Sequence, residues 1–156
     1  MTPNSPDEAL KQLLGLSISD IKFAEAMPML AFGELKTVTF GKRGRTKQVG
    51  AYALHIECPW RLTREQSILV GSDDFFVQLA EGTHRNLLGL RVRAFLELGE
   101  SERTVINTET EPLGGFKLFL GSNMVFEVLP MISSNESLWR LFEPGNDDNH
   151  FVAVKG

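Results

Sequence analysis

The sequence predicts an α+β fold, mostly antiparallel sheet with two helices, as one domain over 1–156 built from two related halves at about 1–79 and 80–156. Three observations predict it. First, residues 53–58 and 124–129 both alternate apolar and polar side chains, carry a glutamate and stop at a proline, Pro59 or Pro130, with Leu54, Ile56, Glu57 and Cys58 matching Met124, Phe126, Glu127 and Val128. Second, the only two tryptophans, 79 positions apart in 156 residues, each open a Trp-Arg-Leu triplet. Composition alone would place Arg-Leu after the second tryptophan about once in a hundred sequences. Third, short apolar runs recur between Gly, Pro, Asn and Asp clusters in both halves, as hairpin-linked strands require.

Taken in order, Ser5-Pro6-Asp7-Glu8 opens a helix. Ser5 caps it, Pro6 suits the first helical position, and Glu8 completes a capping box. Leu10, Leu13 and Leu14 form its apolar stripe and Gly15 its end. A loose alternation predicts a strand at 18–23, then a helical turn at 24–27 before Pro28, then a strand at 29–32. Residues 41–47 read as a long hairpin loop carrying Lys42, Arg43, Arg45 and Lys47. The clearest strand of the first half is 52–58, with Leu54, Ile56 and Cys58 on one face and His55 and Glu57 on the other. Pro59 cannot donate to a ladder, so the chain bends or lies at a sheet edge there. Trp60 and Leu62 then point together, and 67–71 forms a short strand closed by Ser72-Asp73-Asp74.

Residues 84–99 fit a strand by alternation and a helix by a stripe of Leu87, Leu90, Ala94 and Leu98. Helix is chosen, because Thr83 can cap it, Gly99 can end it and its residues are good helix formers. Strands follow at 104–110, 116–120 and 124–129, punctuated by Gly114-Gly115 and Gly121-Ser122-Asn123. Two more, at 137–142 and 151–154, flank a loop at 143–149.

The net charge of −4 argues against whole-surface attraction to nucleic acid or anionic membranes. One cysteine allows neither an internal disulfide nor a thiolate zinc cluster. No apolar run approaches the ~20 residues of a membrane span. The first eight residues lack the basic and apolar regions of a secretion signal, so a cytoplasmic protein is expected. No phosphate loop, dinucleotide fingerprint, nucleophile elbow or zinc-protease motif is present, so no cofactor or metal is expected.

Cys58 and His55 look like a nucleophile and its base, but residues three apart on a strand face opposite ways, so Cys58 reads as structural. His84 and His150 are too distant in sequence to assign to it. Asp147-Asp148-Asn149-His150 lacks the spacing of a calcium loop and reads as a solvated turn. Asp73 and Asp74 follow a strand, where catalytic carboxylates often sit, yet Asp also favours turns for local reasons. Glu57 and Glu127 are expected to pair across strands with Arg61 and Arg140. The basic loop suits phosphate or an acidic protein patch, and no aromatics interleave with it for stacking on single-stranded nucleic acid.

The run Leu54-His55-Ile56-Glu57-Cys58-Pro59-Trp60-Arg61, with Glu136-Ser137-Leu138-Trp139-Arg140-Leu141-Phe142 and His150-Phe151-Val152, resembles a family of small uncharacterised bacterial proteins. The Gly71-Ser72-Asp73-Asp74 turn and Gly114-Gly115 belong to the same resemblance, which covers the chain after about residue 15. It implies no activity and no active-site residues. In layout the chain is also similar to small β-rich immunity proteins of bacterial toxin systems, a likeness of architecture, which does not fix function.

The expected function is a non-enzymatic interaction protein, of the immunity-inhibitor type, that binds a protein partner by charge complementarity. The basic 42–47 segment and an acidic one (Glu97, Glu100, Glu102, Glu109, Glu111) make its surface dipolar. The alternative is a small-ligand binder or enzyme with a site between the halves, using His55, Glu57, Asp73 or Asp74. A deep pocket holding two of those side chains within hydrogen-bond reach would favour it, and a flat or convex surface would favour the interaction protein. Nucleic-acid binding comes third.

Overall fold

A computed structural model describes residues 2–80, 82 and 85–154. Strands occupy 49% of the chain and helices 17%, and every strand ladder is antiparallel, so the fold is α+β and mostly sheet. Helix α1 (Pro6–Lys11) starts as its sequence requires, with Ser5 Oγ accepting the Glu8 N–H at 3.1 Å. Strands β1 (Ile18–Ala24) and β2 (Met27–Phe32) form a hairpin. The helical turn expected at 24–27 is absent, because Ala24 pairs with Met27 and the ladder continues to the turn.

Strands β3 (Lys36–Phe40) and β4 (Arg45–Val49) make a separate two-stranded arm. The loop expected over 41–47 shrinks to 41–44. Gly41 and Gly44 take positive φ (72° and 65°), which lets Phe40 pair with Arg45 and puts Arg45 and Lys47 in a strand. At its base the arm joins the body through Gly50, where an added Cβ would lie 2.4 Å from the Phe32 carbonyl oxygen.

Strand β5 (Tyr52–Ile56) leads through Pro59 to β6 (Trp60–Arg64) and β7 (Ser67–Gly71), then to a 3₁₀ turn over Ser72–Phe76. Helix α2 (Leu87–Leu96) confirms the helical choice for this segment. Its cap is Asn86, whose Oδ1 accepts the Gly89 N–H at 3.0 Å; Thr83, the expected cap, and His84 lie outside the described residues. Strands β8 (Val105–Thr110), β9 (Phe116–Leu120) and β10 (Met124–Val128) form the expected meander. The last two strands, β11 (Ser137–Glu143) and β12 (Asn146–Val154), correct the sequence reading. The 143–149 loop is only the Pro144-Gly145 turn, with Glu143 opposite Asn146, so Asp147, Asp148 and His150 are strand residues.

The strands form two five-stranded sheets, ordered β1-β2-β5-β11-β12 and β7-β6-β10-β9-β8. The chain passes from the first sheet to the second between β5 and β6, and back between β10 and β11. A proline stands in each passage, as its missing N–H favours. The inward faces of both sheets and the buried sides of both helices share one core, which includes Trp60 (2% exposed) and Trp139 (0%). Across it, Phe116 of the second sheet meets the Trp139 ring edge-on at 4.9 Å. Helix α1 rests on β8 and β12, and α2 on β1 and β7, so each helix bridges an edge of one sheet to an edge of the other.

The ladders correct the residue matching drawn from the sequence. Trp139 stands opposite Ile56, and Trp60 opposite Val128. If the tryptophans correspond, Ile56 corresponds to Val128, two positions away from the expected match of Cys58 with Val128. The passage from Val128 to Trp139 is longer than that from Ile56 to Trp60, so aligning the halves on their glutamates, Glu57 with Glu127, misplaces the register.

Candidate functional site

Side-chain alternation decides what each strand offers to solvent. On the arm, directly opposed residues share a face, so Lys36, Val38, Phe40, Arg45, Lys47 and Val49 lie together. The opposite face holds only Thr37, Thr39, Thr46 and Gln48. The first face is therefore both cationic and apolar. Lys47 Nζ lies 4.8 Å from the Phe40 ring centroid, a cation–π contact that keeps its charge over an aromatic face. Lys42 and Arg43 occupy the exposed tip, and Arg45 and Lys47 are exposed on β4.

The mixed face lines hollows against the outer surface of the first sheet. One, of about 310 Å³, lies between Val38, Thr39, Phe40, Lys47 and Val49 of the arm and Phe142, Pro144 and Gly145. A second, of about 290 Å³, is lined by Lys47 and Val49 with Lys22, Met29, His55 and Phe142. A third, of about 280 Å³, is lined by His55, Arg140, Phe142, Glu143, Asp147 and His150. Phe142 borders all three. Its ring meets His55 edge-on at 5.0 Å and His150 at 5.3 Å, so three rings run side by side across β5, β11 and β12.

His55 stands opposite Arg140 on β11 and Met29 on β2. Burial lowers its pKa, with Arg140 and His150 adding to the effect and Glu57 opposing it. Its imidazole is thereby held toward the neutral form.

A separate hollow of about 420 Å³ lies where the chain crosses between sheets, lined by Met27, Glu57, Cys58, Trp60, Asp73 and Phe76 among others. Of the four residues considered for a ligand site, this hollow brings together Glu57 and Asp73 and leaves His55 elsewhere. Asp74 serves the backbone instead, since its Oδ2 accepts the Gly71 N–H at 3.0 Å and closes the turn. Burial, with Glu57 beside it, raises the Cys58 pKa to about 12, and its Sγ lies 3.5 Å from the Leu138 carbonyl oxygen. Such a thiol is no nucleophile at neutral pH.

The expected ion pairs form. Arg61 Nε meets Glu127 Oε1 at 2.7 Å directly across the ladder, and Arg140 Nη2 reaches Glu57 Oε1 at 3.6 Å. Among the described residues no group of three or more His, Cys, Asp and Glu side chains is placed to hold a metal ion. No helix among them is long and apolar enough to cross a membrane.

Sequence reasoning missed the ring row of His55, Phe142 and His150. Alternation about Trp139 and Leu141 does put Arg140 and Phe142 on the outer face, but nothing local joins β5 to β11. No family model, curated protein or solved structure matches the chain.

Proposed function

We propose that this is a non-enzymatic interaction protein that holds an acidic surface of a protein partner with its basic arm. The observation that carries the reading is the separation of charge. Residues 36–49 contain five of the 16 Lys and Arg residues and none of the 20 carboxylates. The rest of the chain then has 11 cations against 20 carboxylates, so the arm stands as a local positive element on a negative body. Such complementarity sets on-rate and partner choice. The negative body opposes approach to a polyanion as extended as nucleic acid, whereas a local acidic patch need engage only the arm. An inhibitor of the immunity type would work this way, by occluding its target without chemistry.

The test is capture from the native host's lysate with wild type and with a variant carrying Lys42→Glu, Arg43→Glu, Arg45→Glu and Lys47→Glu. A stoichiometric acidic protein held by wild type and lost in the variant is expected, with both proteins melting alike. Equal capture by the two would overturn the reading.

A second reading, a small-ligand binder, rests on Glu57 and Asp73 sharing the hollow at the sheet crossing. A metabolite that raises the melting temperature of wild type but not of Asp73→Asn would favour it.

A further inference from the structure

We infer that the hollows between the arm and the first sheet seat an extended acidic segment of the partner, with one large apolar side chain of that segment against Phe142. This deepens the reading of the arm as a contact element and rests on it. If the arm only supplied charge, its cations would be distributed over both faces of the ribbon. Instead one face is uncharged, all threonine and glutamine, and the other alternates Lys36, Arg45 and Lys47 with Val38, Phe40 and Val49. Four residues of that mixed face, Val38, Phe40, Lys47 and Val49, border the same hollow as Phe142, with Thr39 beside them.

The lining fits such a segment. Phe142, Pro144, Val49 and Met29 give an apolar centre, and Phe142 continues it into all three hollows, a path rather than a closed pocket. Cations flank that centre, with Lys22 and Lys47 in one hollow and Arg140 in the next. Asp20, Glu143 and Asp147 also line these hollows. They restrict where carboxylates of the segment can lie, favouring the arm side beside Lys47. Phe40 is 42% exposed, so the arm side has apolar surface still to cover. An extended peptide presents alternate side chains to opposite sides, so one apolar residue between acidic ones can meet the sheet while its neighbours meet the arm.

The experiment uses the full chain and two fluorescein-labelled ten-residue peptides of equal charge. One has nine Glu and one central Phe; the other has nine Glu and one central Ser. Anisotropy at low salt should give the Phe peptide about tenfold tighter binding, the size expected from covering one large apolar side chain. Amide NMR signals of residues 47–49, 140–143 and 145 should shift with it. Phe142→Ser should remove the difference between the peptides, and Lys47→Glu, on the exposed arm, should weaken both while leaving the fold intact.

Equal binding of the two peptides, abolished by salt and by Lys47→Glu, would overturn the seat at Phe142 and leave the arm reading standing. Binding of neither peptide, with duplex DNA held at the same salt, would overturn both. Binding of nothing would also overturn both. If Phe142→Ser unfolds the chain, Phe142→Leu serves in its place, judged by whether the shifted amides near 142 persist.

Discussion

The two tryptophans occupy matching places in the connectivity and differ in one bond. Each half runs as a helix, three strands in one sheet and two in the other: α1, then β1, β2 and β5, then β6 and β7; α2, then β8, β9 and β10, then β11 and β12. Trp60 and Trp139 each open or lie near the start of the strand that follows the crossing, and each faces the last strand before the other crossing. The Trp139 indole N–H donates to the Gly114 carbonyl at 2.9 Å, whereas the Trp60 indole N–H has no partner among the described residues. Trp60 instead stacks on Phe126 at 5.3 Å. Both rings thus fill the core, Trp60 stacked on one phenylalanine and Trp139 packed against two, while only Trp139 also ties a turn to it. The recurring connectivity supports a proposal that the halves share an ancestor.

The largest expected effect tests whether the places are equivalent. Trp60→Ala and Trp139→Ala should each cost about 3–5 kcal/mol, as large aromatic truncations in a core do. Chemical denaturation would measure it. A near-wild-type midpoint for either would break the correspondence.

Replacement by phenylalanine should then separate them. Trp139→Phe strips the half-buried Gly114 carbonyl of its donor and should cost about 0.5–1.5 kcal/mol beyond the loss of ring volume, the usual net worth of such a hydrogen bond. Trp60→Phe removes a donor that had no partner and should lack that penalty. Equal losses would show that the indole bond contributes nothing and that packing alone decides both sites.

How much of this was legible follows from range. Both tryptophans, the core faces of β5, β6, β10 and β11, and the capped start of α1 follow from alternation and capping, which act over a few residues. The strand status of Arg45 and Asp147 was not legible, because each lies in a polar stretch whose ladder is set by a glycine turn and a partner strand. Nor was the site. His55 meets Phe142 only because β5 pairs with β11 in a register fixed by distant core contacts. The residue matching of the halves failed for the same reason, since the crossing between β10 and β11 has a different length from that between β5 and β6.

The two cross-strand ion pairs offer a finer comparison. Arg61 and Glu127 are directly opposed at 2.7 Å, with the Glu127 side chain only 14% exposed. Arg140 and Glu57 lie 3.6 Å apart and are each about a third exposed. Double-mutant cycles with Arg→Met and Glu→Gln should give a coupling near 1 kcal/mol for the first pair and a few tenths for the second. The reverse order would mean that direct opposition on the ladder is not what sets their strength.

The smallest expected effect concerns what stands opposite each arginine: a glutamate before Arg61 and His55 before Arg140. Because burial and Arg140 lower the His55 pKa in the folded chain, the unfolded chain binds this proton more readily. Stability contributed here is full above the ordinary value of 6.5 and declines as pH falls from there toward the lowered value. His55→Gln keeps a polar side chain without the titration, so its loss of stability on acidification should be shallower than that of wild type in this window. Glu57, which opposes the lowering, gives a check of sign: Glu57→Gln should steepen the wild-type decline, because the folded imidazolium then loses its favourable neighbour. Parallel profiles for wild type and His55→Gln would mean that other groups set the acid limb, and that a histidine rather than a glutamate opposite the second arginine has no electrostatic consequence.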